Sequence, residues 1–316
     1  METVMTRLQD IINTTQQNQD SVAKQPHLGL LRIAGPDTKK FLQGQLTCDL
    51  NKLSQKASLY GAICNIKGRI ISSFFLVQHN DDVLMLLSND LLDKTLTHLK
   101  KYAVFFKTQL TDASNDFTVY NKIIAAAPSL AIETATVSET LLTRIEAATL
   151  TVVVCQQPFT MQWLIVDKDS DDIAEQNSQL AALSILSARP VIHAEQSEAI
   201  LPQWLNMQST GGISFTKGCY TGQEIVARLH YKGKSKKQLV LASWQGALDC
   251  SKNIVDHEDN SIGQVFATSH LGDRYFAQIL LNADPSDTGK VFLDNQAITL
   301  LELPYLLNTK TTSTIA

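Results

Sequence analysis

The most distinctive stretch of the sequence is Gly211-Gly212-Ile213-Ser214-Phe215-Thr216-Lys217-Gly218-Cys219-Tyr220-Thr221-Gly222-Gln223-Glu224. Four of these residues are glycine, although the whole chain of 316 residues contains only 14. Glycine permits positive φ and close backbone approach, and its entropic cost disfavours it inside regular elements. A lysine, a cysteine, a tyrosine and a Gln-Glu pair lie among the glycines. The stretch therefore predicts a tight, chemically active loop for which the rest of the chain is the scaffold.

The end of this stretch has the pattern of a helix start. Thr221-Gly222-Gln223-Glu224 fits a capping box, with Thr221 as N-cap and Glu224 at the third helical position. Cys219 would then lie just outside a helix N-terminus, where the macrodipole and the nearby Lys217 favour a thiolate. The sequence thus gives Cys219 a physical reason for reactivity. The alternative is a half-buried structural cysteine, which is a common fate of this residue.

Composition narrows the class of protein. A hydrophobic content of 44% with 18% charged residues is typical of a soluble globular chain, and the length predicts more than one core. The chain has five cysteines, an odd number, and no two of them are spaced as a CxxC pair. This pattern argues against a disulfide framework and against a zinc site, so no metal site is predicted and a reducing cytoplasm is expected. No apolar run is long enough to span a membrane, and no signal peptide is recognised.

Charge is distributed unevenly along the chain. The net charge is −4, yet residues 217–237 carry +5, so the remainder carries −9. A positive region on a negative protein predicts attraction of a local anion rather than of a long polyanion. The alternative is an exposed basic loop without a ligand.

The order of elements predicts an α+β fold with mostly antiparallel sheets. Strands are expected at about 28–33, 59–64, 69–78, 83–87, 104–110, 117–126, 150–156 and 160–166. Helices are expected after the turn at 35–37, after an Asn89 N-cap, at 136–147 and at 171–187. From 238 onward, short strands alternate with turns, which predicts a small C-terminal β-barrel. The predicted divisions are an arm at 1–26, a domain at 27–237 with subdomains 27–115 and 116–237, a barrel at 238–307 and a disordered tail at 308–316.

Several segments together carry a family resemblance. The stretch 211–224 resembles the signature of the YgfZ family, folate-binding relatives of the glycine-cleavage T-protein, an aminomethyltransferase. The segments 41–49 and 61–69 and the run Leu201-Pro202-Gln203-x-x-Asn206 also resemble that family, in the family's order and over nearly the whole chain. The chain departs from the pattern at Asn65, where many members carry an acid, and at Arg189, where glycine is common.

The resemblance implies a tetrahydrofolate-binding protein that acts in synthesis or repair of iron–sulfur clusters and supports iron–sulfur enzymes such as those modifying tRNA. It implies a fold of ferredoxin-like halves followed by a barrel, and a role for Cys219 and Lys217 at the bound folate. Because a reduced pterin needs an apolar slot with a few polar contacts, we expect folate to be bound by two groups of residues. Tyr60, Trp204 and Phe215 are expected to form the slot. Asn65, Asn206, Gln223 and Glu224 are expected to supply the polar contacts, with Arg228, Lys232 and Lys234 at the anionic tail. For single residues the alternatives are structural: Trp204 in the core, and Glu224 as a helix cap only.

Two other functions remain open from the sequence. The first is a true aminomethyltransferase, that is, a folate-dependent one-carbon transferase. The second is a non-enzymatic module that binds tRNA through residues 228–237. Whether the chain catalyses any reaction is left open.

Overall fold

The structure, a computed structural model, describes residues 20–124, 140–146, 149–156, 159–170, 173–233, 235, 237–285 and 288–307. The predicted tail at 308–316 and residues 1–19 of the predicted arm lie outside this part of the chain. Within the described part, no helix is long and apolar enough to cross a membrane.

Ten strands of the first two thirds of the chain form one antiparallel sheet. Their bounds are β1 Ser21–Lys24, β2 Leu28–Ala34, β3 Ala57–Cys64, β4 Ile70–His79, β5 Asp82–Ser88, β6 Gln109–Asp112, β7 Phe117–Ile124, β8 Leu141–Glu146, β9 Thr149–Cys155 and β10 Thr160–Asp167. The spatial order is β1-β7-β10-β9-β8-β3-β4-β5-β2-β6. The two halves of this sheet are joined where β8 pairs with the start of β3, at Ala57↔Leu142 and Ser58↔Leu141. The hydroxyls of Ser58 and Thr143 form a hydrogen bond at this junction.

The central strands are buried on both faces because their alternate side chains enter two different cores. On β3, Tyr60 and Ala62 belong to one apolar cluster, whereas Leu59 and Ile63 belong to another. The period of two follows from strand geometry, in which successive side chains point to opposite faces. Such strands appear in the sequence as continuous apolar runs, and this is why they were predictable.

Two helices cover the second of these cores. They are α1 Thr38–Gln43 and α2 Leu92–Ala103. On α2 the buried residues Leu92, Thr95, Leu99 and Ala103 recur at spacings of three and four, which places them on one face. The predicted Asn89 N-cap is wrong, because Asn89–Leu91 form a short 3-10 turn and α2 begins after it.

The C-terminal strands form a closed six-stranded barrel. They are β11 Gln238–Gln245, β12 Asn253–Val255, β13 Ser261–Leu271, β14 Arg274–Leu281, β15 Val291–Leu293 and β16 Gln296–Leu301, in the closed order β11-β14-β13-β12-β15-β16. Val240 and Ala242 fill the barrel, while Leu239 and Leu241 pack into the core shared with the large sheet. The α+β class, the antiparallel sheets and the terminal barrel are thus confirmed. Of the barrel strands, only β12, three residues long, was not predicted. Outside the barrel, β8 was not predicted either, and β1 forms a strand paired with β7 within the part of the chain predicted as an arm.

Three predicted elements are wrong. The strand at 104–110 is displaced to Gln109–Asp112, because α2 continues to Ala103 and the next residues form a turn. The helix at 136–147 is replaced over 141–146 by β8, in which Leu141 and Thr143 are buried and Leu142 is 52% exposed, a period of two; residues 136–139 lie outside the described part. The amphipathic helix at 171–187 is instead a 3-10 helix, Ser178–Ser187, bounded by Asn177 and Ala188 at positive φ.

Candidate functional site

The loop 211–224 is fixed to the segment that follows α1. The Thr47 hydroxyl donates to the Gly212 carbonyl at 2.6 Å, and the Ser214 amide donates to the Thr47 carbonyl at 2.9 Å. The Thr47 hydroxyl also accepts from the Ala62 amide at 2.9 Å, which connects the loop to β3. The loop is therefore in direct contact with segment 41–49, and Thr47 in turn connects it to segment 61–69; all three carry the family resemblance.

Lys217 reinforces this attachment from inside the protein. Its side chain is only 9% exposed, and Nζ donates to the carbonyls of Gln43 and Leu46, each at 2.6 Å. The ammonium group also lies 5.0 Å from the centroid of the Tyr220 ring. Burial lowers the pKa of Lys217 to about 8, although the nearby Cys48 and Asp49 act in the opposite direction. The lysine therefore connects the loop to the end of α1.

Gly222 determines how the loop enters the helix α3, Gln223–Lys232. It is the N-cap residue with φ +83°, and a Cβ at this position would lie 2.4 Å from the Asn65 carbonyl oxygen. The predicted capping box is wrong, because the helix begins after Gly222 and no side chain caps it. Only glycine combines this φ with such a close backbone contact. The contact places the loop against the hairpin turn 65–68 between β3 and β4.

Cys219 is the exposed cysteine of the five, all of which are free thiols. Burial raises the pKa of Cys48 and Cys64 to about 12 and that of Cys155 to about 11. Burial also raises the pKa of Cys250, which is partly exposed. Cys219 lies four residues before the first residue of α3, on the loop that Lys217 and Gly222 hold on either side. It is the most accessible of the five thiols to reagents and partners.

A groove of about 960 Å³ lies between the hairpin turn, the segment 195–204 and the barrel strands β13 and β14. Trp204 lines the groove, with the Arg69 guanidinium 4.9 Å and the Lys237 ammonium 4.7 Å from the ring centroid. The other lining residues include Asn65, Lys67, Glu195, Gln196, Glu198, Ile200, Gln264 and Phe266. The groove thus combines two aromatic rings, three cations and two carboxylates.

The polar wall of the groove is organised by hydrogen bonds. Asn65 accepts at Oδ1 from the amides of Lys67 and Arg69 and donates from Nδ2 to Glu198 at 3.0 Å. The Asn65 hydrogen bond, followed by that from Lys94 at 3.0 Å, lowers the pKa of Glu198 below its usual range. Glu198 is therefore a carboxylate at neutral pH. Both ends of the Asn65 side-chain amide are thus used in hydrogen bonds within the protein, which shape the turn and the groove.

The other predicted folate contacts do not line this groove. Tyr60 is buried and donates to the Pro190 carbonyl at 2.7 Å. Asn206 is buried at positive φ and donates to the Leu239 carbonyl at 2.8 Å, which connects it to the barrel. Phe215 stacks on His230 with centroids 3.7 Å apart.

The remaining predicted contacts belong to α3. Gln223 accepts from the Tyr220 amide at 3.3 Å, and Glu224 and Arg228 are exposed on the helix. Lys232 is also exposed, and Lys234 lies outside the described residues. The predicted set is consequently divided between the groove, the interior and the helix surface.

A second, buried group of residues was missed from the sequence. Tyr60 lies 5.1 Å from Phe75, and Phe75 lies 6.2 Å from Trp163, as distances between ring centroids. Asn121, which is 1% exposed, is the cross-strand partner of Trp163. Neither polar atom of its side chain, nor Trp163 Nε1, has a hydrogen-bond partner. Among the described residues no group of three or more His, Cys, Asp or Glu side chains could hold a metal ion.

Comparison with known proteins gives relatives that match most of the chain. It is 34% identical over 282 residues to the tRNA-modifying protein YgfZ of Cronobacter sakazakii, covering 83% of this chain and 84% of the relative. It is 33% identical to that of Vibrio atlanticus, covering 87% and 81%, and 32% identical to that of Klebsiella pneumoniae, covering 88% and 90%. No protein-family model matches the sequence.

A solved structure shares the fold. The glycine cleavage system aminomethyltransferase T from Bartonella henselae aligns with a TM-score of 0.63 over 93% of this chain and 88% of that chain. The identity is 13%, so this similarity shows the fold alone. The relatives show more: with identity above 30% over more than four fifths of their length, the chain belongs to the family of the tRNA-modifying protein YgfZ.

Proposed function

We propose that this chain is a tetrahydrofolate-binding accessory protein whose loop 211–224 presents Cys219 beside the folate site. In this proposal it serves synthesis or repair of iron–sulfur clusters in enzymes that modify tRNA. The observation that carries the proposal is the groove around Trp204, which lies next to the hairpin turn that the loop contacts. The T-protein fold and the relatives' names support it. The free state of all five cysteines fits a cytoplasmic setting.

The groove fits the chemistry of folate. Its volume of about 960 Å³ lies within the range of small-molecule sites. The edge of a pterin carries N–H donors, for which the carboxylates of Glu195 and Glu198 are acceptors. The glutamate tail is anionic, and Lys67, Arg69 and Lys237 are cations on the same groove. Trp204 supplies an aromatic face.

The buried group around Trp163 is the competing location for the ligand. Its unpaired amide and indole groups need a partner, because buried polar atoms are normally hydrogen-bonded. We assign the folate to the groove, since a cavity of sufficient size is present there.

Titration with tetrahydrofolate by calorimetry distinguishes the two locations. Trp204→Ala is expected to weaken binding by about tenfold or more, because it removes an aromatic ring that lines the groove. Trp163→Phe is the matched control and is expected to bind normally. Normal binding by Trp204→Ala with loss of binding in Trp163→Phe would move the ligand to the buried group.

Cys219 and Lys217 have different roles in this proposal. Bound tetrahydrofolate supplies a carrier for one-carbon groups, and Cys219 supplies an accessible thiol at its edge. Lys217 is a positioning residue, since its ammonium group is held by two carbonyls inside the protein. In cells lacking the native gene, a Cys219→Ala variant should accumulate as folded protein without restoring tRNA modification. Full restoration would remove Cys219 from the mechanism.

The second candidate is an aminomethyltransferase, which the fold of the solved relative favours. It predicts turnover of an aminomethyl-lipoyl carrier protein with tetrahydrofolate by the purified chain. A lack of turnover by protein that binds tetrahydrofolate would exclude this candidate and leave the accessory role intact.

A further inference from the structure

The turn between α2 and β6 carries two adjacent apolar side chains in solvent. Phe105 is 82% exposed and Val104 is 73% exposed, and Phe105 is the most exposed large apolar residue among those the structure describes. A single exposed apolar residue is ordinary, but two adjacent ones at the tip of a turn form a patch. We call this pair of residues the apolar tip.

The apolar tip is held in place by its neighbours. The Phe106 amide donates to the Ala103 carbonyl at 2.9 Å, and the Lys107 amide donates to Asp37 Oδ2 at 2.8 Å. The Phe106 ring turns inward and packs 5.4 Å from the Phe41 ring of α1. The chain therefore holds Phe106 inside and Phe105 outside through defined contacts. An ordered turn of this kind presents an aromatic ring at little further entropic cost on binding.

Lysines flank the apolar tip on two elements. Lys100 and Lys101 end α2, Lys107 follows the tip, and Lys39 and Lys40 belong to α1, which packs against the same turn. All five lysines are exposed. The ranges 35–43 and 98–108 contain these lysines and one acid, Asp37, for a charge of +4, so the rest of the chain carries −8. A basic region on an otherwise acidic protein favours an anionic partner at this place.

We propose that the apolar tip and its lysines bind single-stranded RNA, with one unpaired base stacked on Phe105. Stacking on an aromatic ring combined with lysine–phosphate contacts is how proteins hold single strands without reading sequence. The inference rests on the proposed role in tRNA modification. It places an RNA contact of this protein at the apolar tip, outside residues 228–237. An anionic membrane is the weaker fit, because two apolar side chains on a turn bury little area in a bilayer.

Fluorescence anisotropy of the full chain with an unmodified tRNA transcript tests this assignment at 50 and 200 mM KCl. Phe105→Ala is expected to weaken binding by about tenfold or more, and Phe105→Trp to preserve it. The double variant Lys101→Gln/Lys107→Gln should make the slope of log K against log salt less steep by about 1.4, at about 0.7 for each lost contact to a single strand. Lys168→Gln/Lys290→Gln, a charge-matched pair of exposed lysines on other surfaces, should leave affinity and slope close to those of the native chain.

Tetrahydrofolate binding by the same preparations separates this inference from the proposed function. Phe105→Ala should bind tetrahydrofolate like the native chain, which also shows that it is folded. Equal tRNA affinity for Phe105→Ala and the native chain overturns the RNA assignment, whatever the folate result. Binding to vesicles containing anionic lipid that depends on Phe105, without tRNA binding, also overturns it and assigns the tip to membranes.

Discussion

Replacing Lys217 with methionine is expected to change the pH dependence of stability. Burial lowers the pKa of Lys217 from 10.5 to about 8 in the folded state. Between these two values the side chain is protonated in the unfolded state and largely neutral in the folded state. The unfolded state thus binds more protons, so the native protein gains stability as pH rises through this range. The neutral amine still donates to Gln43 and Leu46, so the loop stays attached.

The size of the effect follows from the two pKa values. At about 1.4 kcal/mol for each pKa unit, the full difference corresponds to about 3 kcal/mol. Between pH 7.5 and 9.5, the free energy of unfolding of the native protein is expected to rise by about 2 kcal/mol relative to that of Lys217→Met. Separately, the variant loses about 1–3 kcal/mol that does not depend on pH, because two buried carbonyls lose their donor.

Urea unfolding at pH 7.5, 8.5 and 9.5, followed by the fluorescence of the buried Trp163 and Trp244, measures this difference. The buried cysteines with raised pKa values contribute equally to the pH dependence of the native protein and the variant. Their contribution therefore cancels when the two free energies of unfolding are subtracted. Lys232→Met, on the exposed end of α3, is the control and should follow the native curve. If the native protein and Lys217→Met keep a constant stability difference over this range, the lysine titrates at its ordinary pKa and its buried environment is wrongly described.

Two further predictions concern the same loop. Gly222→Ala should lower the free energy of unfolding by about 2 kcal/mol or more, because φ is +83° and the new Cβ would meet the Asn65 carbonyl oxygen. Gly218→Ala, where no atom lies within 4 Å of the new Cβ, should change it by less than about 0.5 kcal/mol, and equal costs for the two variants would contradict this account. A chromogenic disulfide reagent should label one thiol rapidly in the native protein, and Cys219→Ser should lose that fast phase; a retained fast phase would show that another cysteine is the accessible thiol.

The strands and the barrel were predictable because their patterns reflect local physics. Continuous apolar runs indicate strands buried on both faces, as in β3 and β4, and short runs between turns indicate a barrel. The helix expected at 136–147 failed over 141–146 because β8 is stabilised by pairing with β9 and β3. Such pairing joins residues that are distant in sequence, and local propensity does not include it.

The candidate site was predictable in its loop but not in its surroundings. The glycines and Cys219 of the loop were recognisable, and Cys219 is exposed as a reactive thiol requires. The position of Lys217 was not predictable, since its acceptors are carbonyls about 170 residues earlier in the chain. Trp204 and Asn65 were predicted and do share a groove, but Arg69 and Lys237 were not selected. Their proximity to the Trp204 ring depends on how the hairpin turn and the barrel pack together.

The central claim is that the groove beside the Cys219 loop binds tetrahydrofolate. Calorimetric titration of the full native chain with tetrahydrofolate, kept reduced under anaerobic conditions, tests this claim most directly. We expect saturable binding of one folate per chain, retained in Cys219→Ser and weakened by about tenfold or more in Trp204→Ala. The titration is repeated at several temperatures, because the binding enthalpy can be zero at one temperature but not at all of them. No binding heat from the native chain at any of these temperatures would contradict the claim.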